Sequence, residues 1–295
     1  MVRLTVNQTV LSLLSFIGIA GNILVILLIL KKFKLESWTY ILVCHLATTD
    51  LLTCAVGGPL WIAAYTTKLF PVCQAAIALS TIPLTVSSFT LILIAYDRYV
   101  YIHYPLRHPN IVTCRKIVTL LALFWTLALS SGSLSVTIEM NTSKELAKQD
   151  CIFSLLVNRW NVLWIFAGFA LAPITVLAFV YSYILRTALR QQRKVHEFTN
   201  VEDHKAKIAR LRKERHTISM LSAVVLVFVI STLPFAVVAL IDAFSGRIFR
   251  SGRWLYLTSG LLFLNAVVNP FLYTFTNRDL RREAYKVFQH CKFVA

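Results

Sequence analysis

Residues 10–30 read VLSLLSFIGIAGNILVILLIL and contain no charged side chain. A bilayer core about 30 Å thick is crossed by about 20 apolar residues in a helix, so this run can cross it. Six similar runs follow, each bounded by charged residues. We predict seven spans at approximately 8–30, 39–64, 72–102, 116–138, 160–186, 215–242 and 254–276, and a short amphipathic eighth helix at 278–291.

The overall composition agrees with a membrane protein. Of 295 residues, 57% are hydrophobic and only 15% are charged, whereas a soluble domain has about 25% charged residues. The runs are continuous and do not alternate, which disfavours a β-barrel. We therefore predict an all-α membrane protein with a single seven-transmembrane domain over 1–295. Its parts are an extracellular tail (1–7), seven spans (8–276), and an amphipathic helix with a cytoplasmic tail (277–295). A cleaved signal peptide is the alternative for the first run, although that run is longer than a typical signal sequence core.

The distribution of basic residues predicts the orientation. The net charge is +17, and alternate loops place twenty-two Lys and Arg residues on one side and eight on the other. Cytoplasmic loops carry the excess, so the N-terminus faces outward. The glycosylation sequons at Asn7 and Asn141 both fall on that outer side. We expect a multi-pass protein of the plasma membrane whose basic inner loops meet anionic lipids and no nucleic acid.

The cysteines suggest one disulfide. Cys73 and Cys151 lie near the outer, oxidising face, where a bond between them would hold the loop before the fifth span over the bundle. Two unrelated thiols are the alternative. Cys291, beside the inner membrane surface, is a candidate for palmitoylation.

A carboxylate within the second span is the clearest functional signal. Asp50 is accompanied at membrane depth by Asn22, Asn265 and Asn269. Ionisable groups inside a membrane are costly and usually functional. Carboxylate and amide oxygens suit a sodium or water-filled site; a hydrogen-bonded network that only holds helices together is the alternative.

A second charged cluster, Asp97-Arg98-Tyr99, ends the third span. Arg98 can pair with Asp97 or with Glu214 at the start of the sixth span. An arginine that exchanges partners is a conformational latch, whereas a positive anchor at the inner surface is the simpler interpretation.

These motifs, together with Asn269-Pro270-Phe271-Leu272-Tyr273 in the seventh span, resemble the rhodopsin-like (class A) G-protein-coupled receptors over nearly the whole chain. Within that family the chain is most similar to the adenosine receptors and their relatives. Other positions match in order and depth: Gly21, Asn22, Leu46, Ala47, Asp50, Cys73, Trp125, Pro173, Tyr181, Phe228 and Pro234.

The resemblance implies a receptor without enzymatic activity that signals to a heterotrimeric G protein. Arg98 would meet the Gα subunit once the sixth helix moves outward, and Tyr181 and Tyr273 would stabilise that open state. Glu214 would hold Arg98 in the closed state. Asn22, Asp50, Asn265 and Asn269 would bind an allosteric sodium ion, with no other cofactor. One departure is Thr232, which replaces the family's sixth-span tryptophan.

The same resemblance restricts the ligand. Ser80 stands where amine receptors have an aspartate, and no lysine in 254–276 can form a retinal Schiff base. Ala239 and Phe263 replace the asparagine and histidine that bind adenine. We predict a small, neutral or weakly acidic ligand, with Arg159 or Arg253 at the mouth, or alternatively a short peptide that meets Asp242. The expected pocket consists of Ser80, Thr81, Leu84, Phe153, Phe235, Ala239, Ser259 and Phe263.

Two other function classes are weaker. A transporter or channel could use Asp50 as a transport carboxylate, but the chain lacks the internal repeats of many transporters. An intramembrane enzyme would need a catalytic set at membrane depth, and no such spacing surrounds His45.

Overall fold

The computed structural model describes residues 6–33, 38–137, 160, 162–163, 166–195, 201–244, 253–276 and 280–285. Within these ranges, seven helices are long and apolar enough to cross a membrane. The predicted all-α, seven-span architecture is therefore confirmed. The apolar stretches are Gln8–Lys31, Trp38–Thr67, Phe70–His103, Cys114–Ser133, Phe166–Ile184, Ser222–Asp242 and Leu257–Thr274.

Several helices extend beyond the predicted span boundaries. Hydropathy detects only the apolar length, whereas backbone hydrogen bonds continue into polar sequence. The sixth helix has 44 residues, which gives a length of about 66 Å, twice the thickness of the hydrocarbon core. The α-helices of the seven spans are Val6–Leu28; Trp38–Leu52 and Gly58–Thr67; Phe70–His103; Cys114–Thr137; Ala172–Val195; Val201–Phe244; and Arg253–Thr276. A short helix, His108–Ile111, precedes the fourth span.

Two spans contain a wider π-helical turn next to a proline. Thr53–Gly57 precedes Pro59 in the second span, and Phe166–Leu171 precedes Pro173 in the fifth. Proline has no N–H to donate to the carbonyl four residues earlier. In both spans that carbonyl lies within the π turn, so the wider turn accommodates the missing bond.

The third span forms the centre of the bundle. In its most apolar stretch 72% of the residues are buried, against 17% in the fourth span. It contacts the second, fourth, fifth and sixth spans, while the first span packs on the second and seventh. The largest fully buried side chains include Leu46, Ile94, Phe228 and Tyr273.

The described part of the predicted eighth helix, residues 280–285, is helical. Leu280 and Ala284 are buried in the same core as the spans, and Arg281 and Arg282 are exposed. Apolar residues four apart on one face and charges beside them are the pattern of an amphipathic helix.

Glycine allows a close approach of the first span to its neighbours. A Cβ atom at Gly18 would collide with Cys54 Sγ and lie 3.2 Å from Val267 Cγ2. Small residues let membrane helices approach closely. At Gly260, in the seventh span, a Cβ atom would meet nothing within 4 Å.

We expect Gly18→Ala to lower the melting temperature of the detergent-solubilised protein by about 3 °C or more, because overpacking costs about 1–3 kcal/mol. Gly260→Ala is the matched control and should leave the melting temperature unchanged or slightly raised, since alanine is the better helix former. Equal melting temperatures for the two variants would contradict the close approach.

Candidate functional site

The second, third and seventh spans meet at a buried polar core around Asp50, which is 0% exposed. Asn269 Nδ2 donates to Asp50 Oδ2 at 2.8 Å, and Ser87 Oγ donates to Oδ1 at 3.2 Å. Thr49 Oγ1 lies 2.8 Å from Ser87 Oγ. Both carboxylate oxygens thus accept a hydrogen bond, which is the usual condition for burying a carboxylate.

Asn22 connects the first span to this region. Its Nδ2 donates to the carbonyls of Gly18 at 2.9 Å and Ala266 at 3.1 Å. The side-chain carbonyl oxygens of Asn22, Asn265 and Asn269 are buried and have no hydrogen-bond partner among the described residues. Carbonyl and carboxylate oxygens are the ligands that a hard cation prefers.

A second polar cluster surrounds Asp97, which is 1% exposed and has polar partners at both carboxylate oxygens. Arg98 donates to Oδ2 from Nη2 at 2.7 Å and from Nε at 3.1 Å. Thr39 Oγ1 donates to the same oxygen at 2.9 Å and accepts a hydrogen bond from Arg98 Nη2. His108 Nε2 lies 2.9 Å from Oδ1.

Thr39 and His108 were missed by sequence reasoning. Thr39 begins the second span and His108 follows the third, so no local motif connects either residue to Asp97. Glu214 lies on the sixth helix, but its side chain is outside the described part of the chain, so its pairing with Arg98 stays a prediction.

The three tyrosines of the predicted switch differ in environment. Tyr273 is fully buried, and its hydroxyl has no partner within the described residues. Tyr181 packs against the hydrophobic core that includes Tyr273. The Tyr99 ring stacks on His103, with centroids 5.7 Å apart. Pro270 lies inside the seventh helix, one residue after Asn269.

A further polar contact joins the second, third and fourth spans. Trp125 Nε1 donates to His45 Nε2 at 3.1 Å, and His45 Nδ1 lies 3.1 Å from Thr90 Oγ1. Because Nε2 accepts, we assign the ring proton to Nδ1, which then donates to Thr90. Both ring nitrogens hold helices together, so neither is free for the catalytic role considered above.

The predicted ligand pocket is divided in the structure. Of the described members of that set, Phe235 and Ala239 line a narrow cleft between the fifth and sixth spans. Leu84 packs with Phe169 and Leu262 near Phe235. The cleft is lined by Val162, Phe166, Phe169, Ala170, Thr232, Phe235, Ala236 and Ala239.

The other described members of the predicted pocket lie elsewhere. Phe263 packs with Cys54 and against the first span, because Gly58 has no side chain and leaves room for the ring. Thr81 donates to the Ile77 carbonyl of its own helix at 2.7 Å. The Ser80 hydroxyl is buried and has no hydrogen-bond partner in the described part of the chain, and Ser259 lies on the seventh span.

Comparison with known proteins gives the family. Residues 21–273 match the family described as 7 transmembrane receptor (rhodopsin family). The chain belongs to this family. As a member of this receptor family, it is a multi-pass membrane receptor and not an enzyme.

Three similar receptors illustrate the range of relatives. Adenosine receptor A2a of Canis lupus familiaris is 28% identical over 292 residues, covering 94% of this chain and 70% of the relative. Histamine H2 receptor of Rattus norvegicus is 27% identical over 296 residues, with 98% and 80% covered. Adenosine receptor A2b of Mus musculus is 27% identical over 298 residues, with 93% and 87% covered. Receptors named for two different small ligands are therefore about equally similar to this one.

Several predicted sites of this receptor fall outside the described residues. Cys73 is disulfide-bonded and fully buried, but its predicted partner Cys151 is among the residues that are not described. Asn7 lies in the first helical turn, without a described side chain. Asn141, Phe153 and Cys291 lie outside the described residues, so the roles proposed for them stay predictions.

We expect Ser87→Ala to lower the melting temperature of this receptor, because loss of the Ser87 donor leaves Asp50 Oδ1 without its hydrogen bond, at a cost of about 1–3 kcal/mol. Ser88→Ala is the control: Ser88 is equally buried, but its hydroxyl donates to the Leu84 carbonyl of its own helix at 2.9 Å. A thermal shift assay on both variants measures the difference. A loss of stability in Ser88→Ala as large as in Ser87→Ala would contradict a specific role for the hydrogen bond to Asp50.

Proposed function

We propose that this receptor lies in the plasma membrane with its N-terminus outside, and transmits extracellular ligand binding to a heterotrimeric G protein by outward movement of the sixth helix. The observation that carries the proposal is the cluster of Asp97, Arg98 and Thr39 at the inner end of the third span. Its contacts would have to break before Arg98 could bind another protein.

The mechanism follows from those contacts. In the described arrangement Arg98 is occupied by Asp97 and Thr39, and its guanidinium carbon lies 5.2 Å from the centre of the Tyr101 ring. Outward movement of the sixth helix would open space beside Arg98 for the C-terminal helix of a Gα subunit. Tyr181 and Tyr273 would stabilise the open state, and Glu214 would favour the closed one.

The long sixth helix suits this movement. Its apolar part is Ser222–Asp242, and the helix begins earlier, at Val201, in a basic segment. A rotation near Pro234, where a backbone hydrogen bond is missing, would be amplified at the inner end because the helix is rigid over that length. The basic residues there would also meet anionic lipid headgroups.

We propose a small-molecule ligand that does not use an amine–carboxylate pair in the third span, since Ser80 offers only a hydroxyl. The names of the similar receptors, which refer to adenosine and to histamine, support a small ligand. A short peptide is the second candidate. Ligand binding would favour one of two bundle conformations by its difference in affinity for them.

The polar core has the oxygen donors that a sodium ion needs. We propose that Asp50 and the amide oxygens of Asn22, Asn265 and Asn269 would hold the ion. A bound cation would supply positive charge beside Asp50 and favour the conformation in which these oxygens converge. Without an ion, Asn22, Asp50 and Asn269 would still connect the first, second and seventh spans through their hydrogen bonds.

The direct test is nucleotide exchange on purified heterotrimers of each Gα class, catalysed by the reconstituted receptor without added ligand. We expect exchange above the empty-vesicle rate with at least one class, and loss of that excess in Arg98→Ala. Wild-type exchange that Arg98→Ala leaves unchanged, at equal receptor density, would overturn the role of Arg98.

Thr39→Val should have the opposite effect. It removes an acceptor for Arg98 and a donor to Asp97, so the closed arrangement loses about 1 kcal/mol and ligand-free exchange rises by up to about fivefold. Thr48→Val is the matched control, because Thr48 is exposed on the same helix and donates to its own Cys44 carbonyl. An equal increase in both variants would count against the latch.

Sodium should stabilise the wild-type receptor, measured as a higher melting temperature in sodium chloride than in an equal concentration of choline chloride. Asp50→Asn should abolish that difference, because it removes the charge that attracts the cation while preserving the shape of the side chain. A sodium-dependent shift that survives Asp50→Asn would refute the proposed ion site.

A further inference from the structure

Asp242, near the outer end of the sixth span, is a buried carboxylate without a hydrogen bond. It is 3% exposed, and neither carboxylate oxygen has a partner among the described residues. The described part of the chain contains two other buried acidic side chains, Asp50 and Asp97, and both have polar partners on both oxygens. Asp242 is therefore the exception.

A buried carboxylate without a partner is costly, since it loses the hydration that it has in water and gains nothing in return. In membrane bundles such groups face the interior and pair with a cation or mark a ligand pathway. The two unpaired carboxylate oxygens of Asp242 thus indicate a positively charged partner that is not supplied by the described side chains.

The position of Asp242 relative to the cleft suggests the rest of that partner. Asp242 follows Ala239, the outermost sixth-span residue of the cleft lining, by three residues, and it follows Phe235 by seven. Residues three and seven apart lie on the same side of a helix. The carboxylate is therefore about one helical turn, roughly 5 Å, further out than the cleft.

The cleft itself is apolar and aromatic. Phe166 and Phe169, presented by the π turn of the fifth span, face Phe235 of the sixth across it. Among its described lining residues, Thr232 is the one with a hydroxyl, which is fully buried and has no hydrogen-bond partner within the described residues. Thr232 precedes Asp242 by ten residues, which is about 15 Å along the helix.

We propose that the cleft and Asp242 together bind an organic cation. Its aromatic or aliphatic body would separate the apolar side chains of the fifth and sixth spans and widen the narrow cleft, and its ammonium or guanidinium group would lie at Asp242. This rests on the proposed function and identifies the chemical class of the ligand. It replaces the neutral or weakly acidic ligand expected from the sequence. The cation is bound from the sixth span, whereas the third span contributes only Ser80.

The cation could belong to a small amine or to a basic side chain of a short peptide. Both present the same charge to Asp242 and an apolar group to the phenylalanines. A hydrogen-bonding group at the far end of either ligand would reach Thr232.

The electrostatic test uses Ala239→Cys as a reporter on intact cells. Two membrane-impermeant methanethiosulfonate reagents, one with a trimethylammonium group and one with a sulfonate group, are each allowed to react with this thiol. The measured quantity is the ratio of the cationic to the anionic reaction rate at the reporter, divided by the same ratio for a free thiol in solution. We expect this ratio to exceed one, and Asp242→Asn in the same background to reduce it by about tenfold. Asp242→Glu should retain it.

The parent receptor, which has free Cys44, Cys54 and Cys114, provides the labelling background, and surface expression is measured for every variant. If Ala239→Cys does not reach the surface, Ala236→Cys in the same cleft replaces it. A cation preference unchanged by Asp242→Asn would overturn the proposal, because the carboxylate would then be neutral or paired within the chain. Failure of both reagents to react with either reporter would also overturn it, since no path would lead from outside to the cleft.

The source of the cation is tested by protection of the reporter thiol. Phenethylammonium represents an aromatic amine, and Arg-Phe-amide represents a basic peptide. We expect at least one to slow labelling more than tetramethylammonium at equal concentration, and Asp242→Asn to remove the difference. No added protection by either probe would overturn the proposed apolar subsite. These rates require no G protein, so failure of the exchange assay leaves this test intact.

Discussion

The hydrocarbon core of a bilayer offers no hydrogen-bond partners, and this constraint governs the described structure. The described spans satisfy most of their backbone groups by helical hydrogen bonds, and at Pro59 and Pro173 a wider turn accommodates the missing N–H. The same constraint applies to side chains. Serine and threonine hydroxyls repeatedly donate to carbonyls of their own helix, as Thr81 and Ser88 do.

Buried charges meet this constraint in three ways. Asp50 accepts hydrogen bonds from neutral side chains of two other spans, which leaves nearby amide oxygens open for a cation. Asp97 is enclosed by Arg98, Thr39 and His108, so its partners include a cation that the chain itself supplies. Asp242 has neither arrangement within the described residues. We thus propose a different role for each carboxylate according to its partners: an ion site at Asp50, a switch at Asp97 and ligand recognition at Asp242.

The central third span connects these depths. It carries Asp97 and Arg98 near its C-terminal end, Ser87 beside the polar core, and Leu84 near the cleft. In the proposed function, a change in the cleft would reach Arg98 through the packed side chains of this helix and its neighbours. Among the described helices, those of the fifth and sixth spans, which form the cleft, extend furthest beyond their apolar stretches, at the end of each span away from the cleft. This arrangement suits a protein whose ligand and signalling partner bind at opposite ends.

The sequence by itself determined the class of fold and the family. Seven uninterrupted apolar runs leave a membrane chain little choice except helices, and the motifs around Asp50, Arg98 and Asn269 occur at matching depths. These are local properties, set by length, hydropathy and spacing within a helix. Which side chains meet was decided only by the tertiary structure. Thr39 and His108 lie 58 and 11 residues from Asp97 along the chain, outside its helical neighbourhood, yet both contact it. Phe263 packs beside Gly58 and the first span. Asp242 has no hydrogen-bond partner among the described residues because of the way its helix is rotated and packed. Such contacts depend on the relative rotation and separation of whole helices, which no single segment of sequence encodes.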